Sequence, residues 1–417
     1  MPAQPVHRIV VIGAGICGLA SAIWLARAGH CVTLIDRDHP GAGASSGNAG
    51  LLAQWAVVPV NTPGIARTGL KYLADPRAPL FLQWAHLPRL LPWLLKFAAN
   101  ATDAEARRAA AALGPLLSDS LEQHRALTRG TAAAAWIAGS DLIYAYDSRA
   151  DYEADAYSWA LKREAGYVPD LIEGHAVQEA EPMLGPAIRC LARLKGHGHI
   201  LNPGAYMESL AQVLKDEGGS VLQAEVRDVD QDAQGRIRAV LTDQGALHCD
   251  RAVLAAGIWS KPLMRKLGVR VPLEPERGHH LHFHDPAKQL RAPLMIVRGK
   301  FAATPMAHGL RCAGTVELGG TDARPSQGPL ALIRREVRRV FPNLRHAGAE
   351  EWVGFRPSTP DSLPLIGEVG GTGVFAAFGH QHVGLTAGPK TGRIVANLIG
   401  GAHPNIDLEP FDANRFT

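Results

Sequence analysis

The stretch from residue 8 to residue 36, RIVVIGAGICGLASAIWLARAGHCVTLID, constrains this chain more than any other. Ile9 to Ile12 form an unbroken apolar run, the pattern of a strand buried on both faces. Gly13, Gly15 and Gly18 follow as G-x-G-x-x-G. In such a turn the first glycine permits the tight bend. The second lets the backbone approach a pyrophosphate, and the third lets helix and strand pack closely. Leu19 to Ala28 read as the next helix, whose N-terminal N–H groups and positive dipole end point at phosphates. Val32 to Ile35 form a second strand with Asp36 at its tip, close to the ~20-residue spacing of a carboxylate that holds a ribose hydroxyl. Ala14, Ile16 and Cys17 complete the turn, Cys17 as a small residue offering its backbone N–H. A glycine-packed turn that binds nothing would not require all of these features together. The acid also argues against a 2′-phosphate, so the expectation is a dinucleotide other than NADP.

A chain of 417 residues, 47% hydrophobic and 20% charged, has enough material for two domains with proper cores. Its 43 basic and 39 acidic residues leave a net charge of +4, which gives no footprint for nucleic acid. The five cysteines, Cys17, Cys31, Cys190, Cys249 and Cys312, are dispersed and contain no C-x-x-C. They read as reduced thiols of a cytoplasmic protein, and no metal site is expected. The apolar N-terminus is strand plus glycine turn, so no signal peptide is expected. Residues 80–99 are interrupted by Gln83, His86, Pro88, Arg89, Pro92 and Lys96, too broken a run to span a bilayer.

Further along, residues 37–52 surround Arg37, Ser45, Ser46 and Asn48 with Gly41, Gly43, Gly47 and Gly50, ahead of Leu51. Such a loop has little bulk and many donors, and suits phosphates or the edge of a flat ring. Residues 55–135 read as mostly helical, with leucines 87, 90, 91, 94 and 95 at helical spacing. That helix either packs on the protein or lies on a membrane surface. Short strand-like runs follow at 141–146 and 175–184, then a helix from Gly204 to Gly219. Strands are expected at Val221–Val229, Ile237–Thr242 and Ala252–Ala255, the last ending in the small residues Ala256 and Gly257 before Trp259. His280, His282 and His284 alternate along one strand face, which reads as a polar face rather than a metal site. The arginines of residues 331–340 read as solvated. Arg356, between Gly354 and Pro357, reads as an irregular-loop guanidinium suited to a carboxylate ligand, or as the partner of Asp361. A last helix from Thr386 through Ile399 offers a second dipole end.

Four motifs, VVIGAGICGLASAIWLARAGHCVTLID, GASSGNAGL, AVLAAGIWS and GFRPSTPDSLPLIG with GHQHVGLTAGPKTG, together resemble the FAD-dependent D-amino-acid oxidase type of oxidoreductase. The likeness is greatest to bacterial D-amino-acid dehydrogenases, including members that act on D-proline or hydroxyproline. It implies an α/β fold: a Rossmann-like FAD-binding domain with a second α+β substrate domain built on an antiparallel sheet. The FAD-binding domain would take 1–55, 196–262 and 350–417, and the substrate domain 56–195 and 263–349. Gly13, Ala14, Gly15, Ile16, Cys17, Gly18, Asp36 and Arg37 would hold the ADP half of non-covalent FAD. Ser45, Ser46, Asn48, Gly50 and Leu51 would line the pyrophosphate and isoalloxazine. Val226 would offer its backbone to the adenine, and Ala256, Gly257 and Trp259 would complete the site. His380, His382, Val383, Gly384, Leu385 and Thr386 would approach the flavin edge.

Arg356 matches the family's substrate-carboxylate arginine, and Arg277 is the next arginine to consider. The tyrosine of the family's Arg-Gly-Tyr-His is His279 here, so a second substrate clamp is not assignable. The implied reaction is hydride transfer from the α-carbon of a D-amino acid to flavin N5, with no side-chain base evident in the motifs. Electrons would pass to a quinone or another carrier. A glycine- or sarcosine-type oxidase, or the flavoprotein subunit of a hetero-oligomeric dehydrogenase, is the alternative. The location implied is cytoplasmic, with peripheral contact to the inner face of the membrane.

Overall fold

The computed structural model describes residues 5–65, 68–69, 72, 79–322 and 324–416. β1 (Arg8–Ile12), α1 (Ile16–Arg27) and β2 (Cys31–Asp36) form the opening unit. After the glycine-rich loop come β3 (Leu51–Leu52), β4 (Leu80–Leu82), α2 (Leu87–Ala99), α3 (Asp103–Leu117) and α4 (Ser120–Thr128). β5 (Ile137–Tyr146), α5 (Arg149–Ala154), α6 (Ala156–Glu164), β6 (Asp170–Glu173), α7 (Ala176–Ala180) and β7 (Cys190–Ile200) follow. Then come α8 (Pro203–Asp216), β8 (Ser220–Gln223), β9 (Val226–Gln231), β10 (Ile237–Thr242), β11 (Gly245–His248) and β12 (Arg251–Leu254). α9 (Ser260–Lys266) precedes β13 (Glu274–His284), β14 (Leu294–Ile296), β15 (Phe301–Met306) and β16 (Gly309–Leu318). The chain ends through α10 (Gly328–Val340), β17 (Gly348–Ser358), β18 (Leu365–Glu368), β19 (Val374–Phe378) and α11 (Gly384–Ile399).

A six-stranded sheet has the order β18-β19-β12-β1-β2-β8, parallel except for β18. The apolar run of β1 is buried on both faces. Ile9 and Val11 join one core cluster with Leu19, Ile23 and Val395, and Val10 and Ile12 join another with Ile35, Leu254 and Phe378. α1 and α11 pack closely because Gly388 and Gly392 lack side chains. A Cβ would come within 2.6 Å of Ile16 at Gly388 and within 2.5 Å of the Ala20–Ser21 backbone at Gly392.

The second sheet has ten strands, with the path β17-β13-β16-β15-β14-β5-β7-β3, β4 beside β16 and β6 beside β7. It is mostly antiparallel, with β14–β5 and β16–β4 parallel. β17 pairs with β13 along its whole length and forms the sheet's edge. Arg356 therefore stands on a strand and not in an irregular loop, and an edge tolerates Pro357, which has no N–H to donate.

Other elements also depart from the sequence reading. Residues 176–180 form the helix α7, since Ala, Gln and Glu favour helix over strand. The run from Val221 to Val229 divides into β8, which extends the parallel sheet, and β9, which pairs with β10. α1 begins at Ile16, ahead of Leu19, because Ser45 Oγ accepts from the Ile16 amide (3.0 Å) and serves as a cap supplied by the loop. On α10, Arg339 is not simply solvated: it grips both oxygens of Asp147 at 3.0 Å. α2 buries Leu90 and Trp93, but Leu91 and Leu95 are exposed, as is Trp84 just before it. No described helix is long and apolar enough to cross a membrane.

Candidate active site

One cavity of about 1270 Å³ runs between the two sheets. It starts at the carboxyl ends of β1 and β2, where doubly wound sheets bind ligands. Gly13 adopts φ +104°, and a Cβ there would lie 2.6 Å from the Ala255 carbonyl oxygen. Gly18 packs directly on Gly13, so both hold the turn together. Gly15 differs, because a Cβ there would meet only Ser45 Oγ at 3.0 Å and otherwise point into the cavity. Asp36 sits at the tip of β2 with Oδ2 accepting from the Ala14 amide (2.7 Å) and Oδ1 from the Asp38 amide (3.1 Å). Its orientation is thereby fixed. A glycine cradle that a side chain would fill, a helix N-terminus and an oriented carboxylate fit a dinucleotide.

Most residues singled out in the sequence line this cavity. They include Gly13, Gly15, Ile16, Cys17, Asp36, Arg37, Ser45, Asn48, Gly50 and Leu51. Val226, Ala256, Gly257, Trp259, Arg356, His380, His382, Gly384, Leu385 and Thr386 do so as well. Ala14, Gly18, Ser46 and Val383 are not on its wall. Gly18 serves packing, Val383 is in the core, and the Ser46 carbonyl accepts from Arg311 (2.8 Å). Arg37 lies 4.4 Å over the Trp259 ring. The pair closes one side of the Asp36 end.

The glycine-rich loop is clasped to the ten-stranded sheet. Arg311 Nη1 donates to the carbonyls of Ser46 and Asn48, and His280 Nδ1 donates to the Gly47 carbonyl at 2.8 Å. Burial holds the His280 ring down to about 3, so it is neutral and stacks flat on Trp352, ring centres 5.1 Å apart. His282 and His284 follow along the same face, and no described residues group as metal ligands.

At the other end stands Arg356, half-buried, with Nη1 donating to the Thr315 carbonyl at 2.9 Å. Thr315 has φ +58° and Lys300, whose carbonyl accepts from the Thr315 amide, has φ +51°. This left-handed backbone costs a β-branched residue ~1–3 kcal/mol and here aims a carbonyl at the guanidinium. Gly278 leaves room for the Arg356 side chain to cross β13. Burial pulls the guanidinium below its usual range, against the charge of Glu276. Among the described residues, no carboxylate lies within ion-pair distance of Arg356, and Asp361 pairs instead with Arg415 (2.7 Å). Arg277, fully buried, is spent on the carbonyls of Gly319 and Gly320 and on Glu317.

His380 and His382 differ. His380 is buried, 2.9 Å from Thr391 Oγ1 and 3.6 Å from Cys17 Sγ. Burial holds its imidazole down to about 3 and pushes the Cys17 thiol up to about 12, so both are neutral. His382 is exposed, with Nε2 3.0 Å from Glu276. Sequence reading missed Glu276, Gly278, Lys300, Thr315 and Trp352 on the wall. Gly278 and Gly354 stand opposite each other in the β13–β17 register, a pairing that only the fold reveals.

The model of the family described as "FAD dependent oxidoreductase" (DAO) matches residues 8–398. The chain is 36% identical to a D-amino-acid oxidase of Bradyrhizobium diazoefficiens, covering 98% of this chain and 99% of that protein. It is 31% identical to a D-amino acid dehydrogenase of Methylobacterium nodulans, with the same coverage. Among solved structures, L-proline dehydrogenase from P. horikoshii superposes with a TM-score of 0.74 at 20% identity, covering 99% of this chain and 98% of that one. Glycine oxidase from Geobacillus kaustophilus gives 0.72 at 23% identity, covering 99% and 100%. With this architecture and a match along nearly its whole length, the chain belongs to the DAO family and is an FAD-dependent oxidoreductase.

Proposed function

We propose that the protein oxidises D-amino acids, with Arg356 as the carboxylate clamp. The observation that carries this reading is a half-buried guanidinium on the cavity wall, fixed by a strained carbonyl and without an ion-pair partner among the described residues. A carboxylate supplies the matching fork. The names of the relatives, D-amino-acid oxidase and D-amino acid dehydrogenase, support the same substrate class.

FAD would be held non-covalently by the Gly13–Gly18 turn, Asp36, the 45–51 loop, Val226, the 256–259 corner and the start of α11. When bound, its isoalloxazine supplies the acceptor for two electrons. Arg356, held by the Thr315 carbonyl, would bind the substrate carboxylate and so fix the orientation of its α-carbon in the cavity. Neutral His380 and Cys17 add no charge behind the α11 N-terminus. The chain divides into the FAD-binding segments 1–55, 196–262 and 350–417 and the substrate segments 56–195 and 263–349, with β17 carrying Arg356 across to the second sheet.

Electrons leave to a quinone or another carrier at a peripheral membrane contact. The exposed Trp84, Leu91 and Leu95 support this, as do the dehydrogenase relatives. The oxidase name of the Bradyrhizobium relative favours oxygen as a second reading. Purified protein should be yellow and release FAD. Without air, D-alanine or D-proline should bleach it, and turnover should be faster with a dye or quinone analogue than with oxygen. Failure of every D-amino acid to bleach it would overturn the reading, and stoichiometric peroxide at a comparable rate would make it an oxidase.

A further inference from the structure

Glu276 has no part in the reading above. It is 3% exposed, yet it lines the cavity. The β13–β17 register sets it directly opposite Arg356, which places the two Cβ atoms about 4.5–5.5 Å apart on one face. A cation and an anion therefore stand side by side on the wall. An amino acid at neutral pH presents the inverse pair, a carboxylate and an ammonium on one carbon. A hydroxy acid carries the same carboxylate but nothing to match Glu276.

The carboxylate has a partner that is less buried than itself. Glu276 Oε2 lies 3.0 Å from His382 Nε2, and the His382 side chain is 40% exposed. The pair thus joins the buried carboxylate to a partly open imidazole that also lines the cavity. Arg356 and Ser358 face Glu276 from β17, and His382 faces it from the turn before α11. Two residues along β13 is Glu274, paired with His86 Nε2 at 2.7 Å and near Lys261. Burial alone would raise the Glu276 carboxyl, but His382, Arg356 and Ser358 hold it below the usual range. It is a carboxylate at neutral pH, on which a proton does not rest.

We propose that Glu276 receives the substrate ammonium and that its proton leaves through His382. One N–H bond breaks, the electron pair stays on nitrogen, and the proton passes to a Glu276 oxygen. It moves on to His382 Nε2 when that imidazole is neutral with its proton on Nδ1, and the Nδ1 proton then goes to water. No electron is exchanged in this step. The amine left behind is neutral, as loss of the α-hydrogen with its electron pair requires.

This inference rests on the D-amino-acid reading, and the two fail separately. Anaerobic reduction by D-alanine, followed across pH in the FAD-loaded enzyme, tests it. Glu276→Gln should slow reduction at neutral pH about 100-fold or more and shift the profile to the alkaline range, where the substrate loses its proton unaided. His382→Gln, changed at the exposed end, should shift the profile in the same direction and covers the case in which Glu276→Gln does not fold. Binding read by tryptophan fluorescence gives a second measure. The wild type should prefer 2-aminoisobutyrate, which has no α-hydrogen, over isobutyrate, and Glu276→Gln should lose that preference. If amino acids reduce all three proteins with one pH profile, the relay is wrong and the substrate class stands. If none reduces the wild type, the substrate class itself falls.

Discussion

The two ends of the cavity are built in opposite ways. The frame of the Asp36 end comes from one contiguous stretch, whose turn, helix and strand are neighbours in sequence, with Ala255 and Trp259 added from beyond β12. The Arg356 end is assembled from β13, β16, β17 and the turn before α11, elements up to about a hundred residues apart. The first end is specified by backbone shape, through glycines at which a side chain would collide. The second is specified by charge, through an arginine, a glutamate and a histidine on neighbouring elements. A local motif can carry shape, but charge complementarity at a substrate has to be brought together by the fold.

That contrast can be broken from either side, and the largest effect belongs to the glycine turn. Gly18→Val should yield no folded flavoprotein, because the side chain would drive into Gly13; a soluble, FAD-loaded variant would contradict the packing role. Gly15→Val should fold yet purify colourless, since its side chain points into the cavity. Circular dichroism beside flavin content separates these two outcomes. Arg356→Ala should do the reverse, keeping FAD while slowing flavin reduction by about thirtyfold or more, as loss of ~2–5 kcal/mol from a charged hydrogen-bonded pair implies. Stopped-flow reduction at wild-type rate and affinity would remove Arg356 from the substrate site.

Acid should act on both ends together. His124, His280 and His380 are buried and neutral, pushed by desolvation down to about 4, 3 and 3. Their folded-state values lie below the unfolded value, so the unfolded chain takes the proton first. Stability is then full above ~6.5 and falls toward pH 4, by at most about 1.4 kcal/mol per pH unit for each group. Urea titrations across that window, with FAD release followed in parallel, check it. The smallest effect is expected at α2. Leu91→Ser with Leu95→Ser should leave thermal stability within about 0.5 kcal/mol, because both side chains are exposed.

How much was legible follows the same division. The opening strand, helix, second strand and acid were readable because each answers to local periodicity and turn chemistry. Arg356 was found, but its setting was misread: Gly354 and Pro357 look like loop signals, and only pairing with β13 makes them an edge strand. Glu276 carried no local signal at all. Its neighbours Pro275 and Arg277 say nothing of His382, more than a hundred residues away, and the strand register alone brings Arg356 opposite it.

The close packing of α1 on α11 through Gly388 and Gly392 bears on how the protein is made. β1 lies between β2 and β12, β12 receives β19, and α1 waits for α11. A ribosome therefore releases the glycine turn long before the helix that supports it. Between the two, the nascent chain would carry an unpaired edge of β1 and an uncovered face of α1. Flavin capture is therefore expected only once α11 has emerged and packed on α1, which FAD loading of ribosome-stalled chains of increasing length would check.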